Sequence, residues 1–505
     1  MHALDFRRAF LMISLVFAVM LSCVSCPISA LGQQKKTTAS SAPAKPATKP
    51  AQQPTKPTTP QTQQSKQTPT NQPGVRPQQV NPFQPGGNLS QPGIRPPALQ
   101  PASRPSQPGL KQPYEPRPGE QFKNLSSGGR IYSDPRSGRT VTTDSHGVPR
   151  RIEIPNGIAG RTVITRGPRG ERQVITGRPG NRVVSYGTDR GFVERPLRPG
   201  YISRTYVNGG HSYAHVYREY HYRDQVYYRY VPDRVYAPGF YVWAMGSWGP
   251  PVPYRWYGLA TPAPWFNFYA GYFTPYPAYN SADLWLTDYV VSQDLQAGYQ
   301  NLQASNEGQT LPPPPKASGE QPSLTPELKQ MIANEVRGQL ADERAQADHP
   351  VSQAGGQPAD GGEQPPPALK DSVFIVSSNL DVTTGGNPCT LTPGDMIRRT
   401  SAEVSTNGNV SLEVLTSQQG DCAENASIQL DLPTLQEMHN QFREQMDAGL
   451  KVLTNNPHGL PAGPSSSPRV LAEGTVSPTQ DVDSQVTSQN SLANQAESQM
   501  KQSGN

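Results

Sequence analysis

Short runs of β-forming residues recur about every ten residues between positions 130 and 235, and turn-forming residues separate them. Four of these runs begin with arginine and continue with mainly β-branched residues, at 139–143, 161–165, 172–176 and 182–185. Dipeptides such as Asn156-Gly157 lie between the runs and favour tight reversals of the chain. Strands this short, joined by so few residues, pair with their neighbours in sequence. The pattern therefore predicts an antiparallel β meander over residues 130–235.

Proline and glycine limit how much of the remaining chain can pack. The sequence holds 56 prolines and 45 glycines among 505 residues, about a fifth, whereas soluble proteins average roughly 12% for the pair. Segments this polar and proline-rich cannot bury enough apolar surface to offset the entropy lost on ordering. We therefore expect a largely disordered, multi-segment chain, with a Pro-rich spacer at 33–129, linkers with one amphipathic helix (326–345) at 306–370, and a disordered tail at 456–505.

The first 32 residues are predicted to be a signal peptide. A basic pair precedes an apolar run at 9–21, and this run of 13 residues is too short to span a bilayer. Three outcomes stay open: cleavage after Ala30 or Gly32, lipidation of Cys23 in a lipobox-like Leu-Ser-Cys, or retention as an anchor. Each one predicts export to the periplasm, the cell envelope or the exterior, with membrane contact only through the signal or a lipid.

Cys389 and Cys422 are the only cysteines that follow the signal segment. An isolated pair in an oxidising compartment is most simply a disulfide. Closing a loop of this length would remove roughly 3–4 kcal/mol of chain entropy from the unfolded state. Neither a CxxC motif nor a neighbouring histidine accompanies the pair, so the sequence suggests neither a zinc site nor a catalytic thiol.

Two further segments have their own composition. Residues 236–305 are rich in tyrosine and contain all five tryptophans, and apolar residues at helical spacing after Ser281 predict that this block ends in a helix. Residues 371–455 contain five short strand-like runs followed by an amphipathic segment. This pattern predicts a small all-β SH3-like barrel that holds the disulfide and a flanking C-terminal helix.

Positive charge is concentrated in the first half of the chain. Residues 130–235 contain 19 arginines, no lysine and 9 acidic residues, whereas residues 371–505 carry a net charge of −9. Guanidinium groups bind phosphate and carboxylate bidentately and stack on rings. Four arginines that begin strand runs are therefore candidate contacts for an anionic cell-wall or surface polymer: Arg139, Arg161, Arg172 and Arg182. The alternative is that they solvate an exposed sheet face and pair with tyrosine rings. Nucleic acid is expected only as an extracellular ligand.

Aromatic residues offer a second kind of contact, because tyrosine and tryptophan faces stack on the C–H surfaces of sugars. The candidate saccharide contacts are Tyr213, Tyr217, Trp243 and Trp248. The alternative is that these rings form the core of a region that has few aliphatic residues.

Residue types that could support chemistry occur in two places. His211, His215 and His221 form a cluster, but on a strand, residues four apart lie about 13 Å apart. The tripeptide at 144–146 has the residue types of a catalytic triad, yet adjacent residues in a turn cannot adopt the required geometry. Common hydrolase, nucleotide-binding and metalloprotease motifs do not occur. The sequence therefore predicts a protein that is not an enzyme and that has no cofactor or metal.

Four segments resemble exported bacterial envelope proteins with a Tyr/Trp-rich middle and a small C-terminal β domain. They are YFTPYP at 272–277, ADLWLTDY at 282–289, CTLTPGD at 389–395 and QEMHNQFR at 436–443. The resemblance covers roughly residues 130–455, and it implies no activity.

Together these features predict a non-enzymatic envelope or surface protein whose spacer presents an Arg/Tyr-rich β region to anionic or saccharide polymers. One alternative is a structural subunit that self-assembles into a homo-oligomer, with the basic half of one copy docked on the acidic half of another. A further alternative, an accessory subunit of an envelope complex, rests on fold analogy alone.

Overall fold

The computed structural model describes residues 113–157, 160–167, 169–223, 225–256, 263–306, 311, 323–348, 365–418, 422–455, 459–464 and 467–502. The predicted signal peptide, the Cys23 lipidation site and residues 33–112 of the predicted spacer lie outside these ranges. Within the described part of the chain, no helix has both the length and the apolar character needed to cross a bilayer.

One antiparallel sheet of 11 strands dominates the structure and confirms the predicted meander. Each strand pairs with the next one in sequence, because short turns join them. The sheet begins before residue 130, inside the predicted spacer. Its strands are β1 (Gln121–Asn124), β2 (Arg130–Ser133), β3 (Thr140–Thr143), β4 (Pro149–Pro155), β5 (Arg161–Arg166), β6 (Arg172–Arg178), β7 (Asn181–Gly187), β8 (Arg190–Arg198), β9 (Tyr201–Asn208), β10 (His211–Tyr222) and β11 (Gln225–Val231).

A C-terminal helix, α6 (Val482–Gln502), covers one face of this sheet. Side chains that alternate along the strands form an apolar row on that face, and α6 packs small apolar residues against it. We call it the α6 face. Its buried members include Val141, Ile152, Ile164, Val174, Val193 and Val207 from the sheet and Val482, Val486, Ala493 and Met500 from the helix.

The prediction of a disordered tail at 456–505 is therefore wrong for residues 482–502. The helix is rich in serine and glutamine, and its apolar residues are too few to mark it as amphipathic from the sequence. Specific polar contacts, such as the ion pairs of Glu497 with Arg166 and Arg172, add to its few apolar contacts. A segment of this composition gains its order from the surface that it docks on.

The Tyr/Trp-rich block folds into helices with an aromatic core. Its helices are α1 (Pro238–Met245), α2 (Pro264–Tyr269) and α3 (Ala282–Ser305), and α4 (Pro326–Asp348) packs against α1 and α3. Between them, β13 (Val252–Pro253) pairs with β14 (Ala278–Tyr279). Lys329 of α4 forms a buried ion pair with Asp288 of α3 at 2.6 Å. The largest buried side chains of this core are Trp285, Tyr241, Tyr279, Phe240 and Phe273.

The C-terminal strands do not close into the predicted SH3-like barrel. Strands β15 (Val373–Ile375), β18 (Met396–Val404), β19 (Asn409–Thr416) and β20 (Ser427–Asp431) form a four-stranded sheet in that order, and β16 (Leu380–Thr384) with β17 (Asn387–Leu391) forms a separate hairpin. The predicted disulfide between Cys389 and Cys422 is present. A short pair, β12 (Arg234–Val235) with β21 (Arg469–Val470), ties the end of the meander to the C-terminal region.

Helix α5 (Leu432–Asn455) belongs to two cores at once. Its first turns place Leu435 and Met438 in the core of the C-terminal sheet. Its later turns place Met446 and Leu450 in the aromatic core. The predicted segments 236–305 and 371–455 therefore share one helix, and α5 also packs on β11 of the large sheet.

Candidate anion-binding face

Two of the four predicted arginines lie buried beside acidic side chains. Arg139 donates a hydrogen bond to Glu120 at 2.6 Å. Arg172 donates to Asn490 of α6 at 2.6 Å and lies 3.5 Å from Glu497. Burial lowers the pKa of Arg172, although the charge of Glu497 opposes that effect. Both guanidinium groups thus hold the fold together and face away from solvent.

Arg182 belongs to a buried ion network centred on Glu194 of β8. Arg182 donates two hydrogen bonds to the Glu194 carboxylate, at 2.8 and 2.9 Å, and Arg204 of β9 donates a third at 2.9 Å. Arg204 also pairs with Glu437 of α5. Burial favours the neutral acid, but the charges of Arg204 and Arg182 outweigh it and lower the pKa of Glu194. The network joins the sheet to α5.

Arg161 is the one predicted arginine with a well-exposed side chain. It pairs with Glu153 of the neighbouring strand β4, and Arg151 donates to the same carboxylate at 2.8 Å. These three side chains lie on the sheet face opposite to the α6 face. Two arginines therefore share one acid there, which leaves a modest positive charge.

The two predicted tyrosines occupy different environments on β10. Tyr213 is 48% exposed, and its ring stacks on Tyr206 with centroids 4.9 Å apart. Tyr217 is fully buried, donates to Glu444 of α5 and lies under the guanidinium of Arg204 at 4.3 Å. Tyr213 can touch a ligand, whereas Tyr217 serves the interface between the sheet and α5.

The two predicted tryptophans lie at the edge of the aromatic core. The Trp243 and Trp248 rings stack with centroids 5.6 Å apart, and Phe240 packs on Trp243 at 5.2 Å. Both tryptophans are partly buried. Their main contacts are with other rings, as expected for an aromatic core.

The other candidate residues perform local structural roles. Asp144 accepts hydrogen bonds from the backbone N–H groups of His146 and Val148, so its carboxylate caps a turn and does not orient the imidazole. His215 lies 3.8 Å from Glu444, and burial lowers its pKa. Among the described residues, no group of three or more histidine, cysteine or acidic side chains could hold a metal ion.

Arginine and tyrosine side chains that the sequence did not single out form a row across β8–β11 on the α6 face. Arg198 lies opposite Tyr201, Tyr201 opposite Arg218, and Arg218 opposite Arg229. Neighbouring strands are about 4.8 Å apart, so the row extends for roughly 14 Å. We call Arg198, Tyr201, Arg218, Tyr220 and Arg229 the arginine–tyrosine ladder.

Stacking holds the guanidinium groups of the ladder in place. Arg198 lies 4.0 Å from the Tyr201 ring centroid, and Arg218 lies 5.7 Å from the same ring. Arg218 and Arg229 lie 5.3 and 5.0 Å from the Tyr220 centroid. Every member of the ladder is at least partly exposed. A guanidinium that contacts a ring through its face keeps its N–H groups available at its edge.

Among the described residues, one carboxylate contacts the ladder. Glu473, in the segment after β21, accepts a hydrogen bond from the Tyr201 hydroxyl and lies 4.0 Å from Arg218. Arg198 donates to the backbone oxygen of Glu473 at 2.9 Å. Arg229 forms no ion pair with any described residue. Within the part of the chain that the structure describes, three guanidinium groups therefore share one carboxylate, which gives the ladder a net positive charge.

The position of an arginine at the start of a strand run does not identify the ladder, because none of the ladder arginines begins one of the four runs. The sequence feature that points to the ladder is the alternation of side chains in β10, which places Arg218, Tyr220 and Tyr222 on one face of the strand. Only the register with β9 and β11 places Tyr201 and Arg229 beside them.

Comparisons of the chain with protein-family models, with curated proteins and with solved structures find no match.

Proposed function

We propose that this protein is a non-enzymatic binding protein, acting at the cell envelope or surface, that holds an anionic polymer on the arginine–tyrosine ladder. The observation that supports the proposal is the pair Arg218 and Arg229. These two like charges lie directly opposite each other on neighbouring strands, against one tyrosine ring. Among the described residues, one carboxylate pairs with them, that of Glu473 at 4.0 Å from Arg218.

Like charges opposite each other on a sheet destabilise it. Most arginines of the meander avoid this cost because they pair with acids of the same chain, as Arg182 and Arg204 do with Glu194. Arg218 and Arg229 offset little of this cost in the free protein, because Glu473 reaches Arg218 only at 4.0 Å and Arg229 forms no ion pair with any described residue. An anion bound between them would relieve their repulsion and would accept charge-assisted hydrogen bonds from both.

The shape of the ladder favours a chain-like ligand over a single ion. A row of roughly 14 Å with cations at both ends matches a polymer with repeating phosphate or carboxylate groups. The tyrosine rings between the cations can contact sugar C–H surfaces. An anionic cell-wall or surface polymer combines both features.

Self-assembly through opposite charges is the second candidate. The contact that it requires, basic sheet against acidic C-terminal half, occurs within one chain through Arg204 with Glu437, Arg195 with Asp481, and Arg166 with Glu497. These acids are therefore already paired, which favours the polymer-binding proposal.

The test compares two double variants that remove the same charge. Arg218→Gln with Arg229→Gln alters the ladder, whereas Arg151→Gln with Arg161→Gln alters exposed arginines on the opposite face. Binding to purified cell-wall sacculi is measured by co-sedimentation across a salt series. We expect the ladder variant to bind about 10- to 100-fold more weakly, since two charge-assisted contacts are lost, and to depend less on salt.

The control variant should bind within about threefold of the parent protein. Equal weakening of the two variants would mean that net charge alone drives binding, which would refute a specific role for the ladder. Salt-resistant binding by the parent would instead indicate contact between aromatic rings and glycan.

A further inference from the structure

The large sheet has two edge strands, β1 and β11, and they differ in whether their outward backbone groups are hydrogen-bonded. At the β11 edge, the side chain of Asn440 on α5 completes the strand. The backbone N–H of Tyr230 donates to its Oδ1 at 3.0 Å, and its Nδ2 donates to the backbone oxygen of Tyr228 at 2.8 Å. The Asn440 side chain thus forms two of the hydrogen bonds that a further strand would form with β11. Covering an edge in this way blocks edge-to-edge pairing.

The β1 edge has no such cap among the described residues. The backbone N–H of Leu125 donates to the backbone oxygen of Gly129 at 2.9 Å. This bond determines which residues of β1 direct their N–H and C=O groups towards β2 and which direct them away from it. Lys123 and Gln121 then bond towards β2, while the N–H and C=O groups of Phe122 and Asn124 point away from the sheet. No described residue bonds these outward groups, and all four residues of β1 are exposed.

Phe122 makes this edge apolar as well as open. Its side chain is 60% exposed, one of the most exposed large apolar side chains of the described chain. One side of the ring packs near Tyr132, with centroids 6.1 Å apart, and the Arg130 guanidinium lies 5.3 Å from its centroid. An exposed aromatic residue on an unpaired edge strand is a template for strand addition.

We propose that β1 pairs antiparallel with β1 of a second copy of this chain, so that two meanders join into one continuous sheet. Two copies could join their sheets by pairing β1 with β11 or β1 with β1. Because Asn440 caps the β11 edge, it blocks the first arrangement and leaves the second. The remaining way for two copies to join their large sheets is an isologous contact about a twofold axis.

Side-chain chemistry selects the register. Pairing centred on Phe122 places the two phenylalanines opposite each other and uses their outward N–H and C=O groups, and aromatic cross-strand pairs are favourable. Pairing centred on Lys123 would place two ammonium groups opposite each other, which is unfavourable. The interface therefore has Phe122 on the twofold axis, with each Lys123 opposite Gln121 of the second copy.

Disulfide trapping tests this register. The full-length chain carrying Cys23→Ser and Cys26→Ser is the background, and Phe122→Cys or Lys123→Cys is added to it. Opposed hydrogen-bonded residues have Cα atoms about 5.5 Å apart, within disulfide range. Diagonal residues lie about 7–8 Å apart, beyond it. Under mild oxidation we expect a covalent dimer from Phe122→Cys and at least tenfold less from Lys123→Cys.

A second variant measures the unlinked interface. Phe122→Lys places a charge on the axis of each copy, and sedimentation velocity should show at least tenfold weaker dimerisation than in the parent chain. Three results would overturn the proposal: no dimer from Phe122→Cys, equal trapping at the two positions, or unchanged association of Phe122→Lys. None of these readouts involves the ladder, so the polymer-binding proposal stands or falls separately.

Discussion

Glu194 neutralises two arginines inside the meander. Its side chain is 1% exposed and lies between Arg182 and Arg204, which come from the strands on either side of β8. Three hydrogen bonds from these guanidinium groups satisfy the carboxylate. A buried group of this kind adds little net stability as an intact pair, but its removal leaves Arg182 without its ion-pair partner and leaves Arg204 with Glu437 alone.

Replacing Glu194 with Gln should lower the free energy of unfolding by about 3–5 kcal/mol, because Arg182 and Arg204 lose their shared acid. Chemical denaturation measures the change. Glu153→Gln is the matched control, since Glu153 also lies between two arginines but at the surface. Its effect should stay below about 1 kcal/mol. Equal effects of the two substitutions would contradict the assigned difference in burial.

Asp447 of α5 gives the protein a predictable response to pH. Burial, and next the nearby charge of Glu343 on α4, raise its pKa to about 8, while Arg443 opposes them. The Tyr230 hydroxyl and Asp233 of the meander also face this carboxyl. In the unfolded chain the pKa of an aspartate is about 3.9, so the folded protein holds a proton that the unfolded chain releases.

The free energy of unfolding should therefore fall as the pH rises from about 4 to 8 and should level off above 8. Asp447→Asn keeps the uncharged hydrogen-bonding group and removes the titration. We expect its stability to vary less over this range and to exceed that of the parent at pH 8. Thermal unfolding at several pH values makes the comparison, and parallel curves would show that another group controls the response.

At the scale of elements, α6 shows how a polar helix can complete a sheet. Val486 is fully buried between α6 and the strands β8 and β9, whereas Leu492 on the same helix is 59% exposed. Most of the buried apolar residues in this contact belong to the sheet. The helix supplies a narrow apolar strip and polar groups that match those of the strands.

Val486→Ala should lower the free energy of unfolding by about 1–3 kcal/mol, since it removes buried methyl groups and leaves a small cavity. Leu492→Ala removes a larger apolar group from the same helix. It should nevertheless lower the free energy of unfolding by less than about 0.5 kcal/mol, because that side chain faces solvent. If Leu492→Ala were the more harmful of the two, the orientation of α6 on the sheet would be wrong.

At the scale of the whole molecule, α5 couples parts that the sequence divides. Its N-terminal half completes the C-terminal sheet, its C-terminal half completes the aromatic core, and Glu437 and Glu444 bind the meander. Elements that share one helix cannot lose their packing independently.

The aromatic core and the sheets should therefore unfold in one transition. Tryptophan fluorescence reports the aromatic core, which holds all five tryptophans, and far-ultraviolet circular dichroism reports mainly the sheets and helices. Their midpoints should coincide. Leu450→Ala should shift both midpoints together, with a loss of about 2–5 kcal/mol. Separate midpoints would indicate that the segments fold as independent domains.

The meander and the disulfide could be predicted because each depends on nearby or unique residues. Ten-residue spacing with turn residues specifies neighbour pairing, and a single cysteine pair leaves one partner for each. The order of α6 could not be predicted in this way, since its helix depends on a surface formed by strands almost 300 residues earlier. The number of strands in 371–455 predicts a closed barrel, but the number of strands does not specify which strand edges pair, and the sheet stays open.

The same physical reason governs the candidate site. Composition predicted an arginine-rich, tyrosine-rich sheet, and that sheet is present. Which arginines are neutralised depends on distant acids such as Glu437 and Glu497, which long-range packing brings to Arg204 and Arg166. Local sequence encodes the alternation of side chains along each strand. The register between strands, and the helices that cover the sheet, determine which of those side chains still face solvent with their charge unpaired.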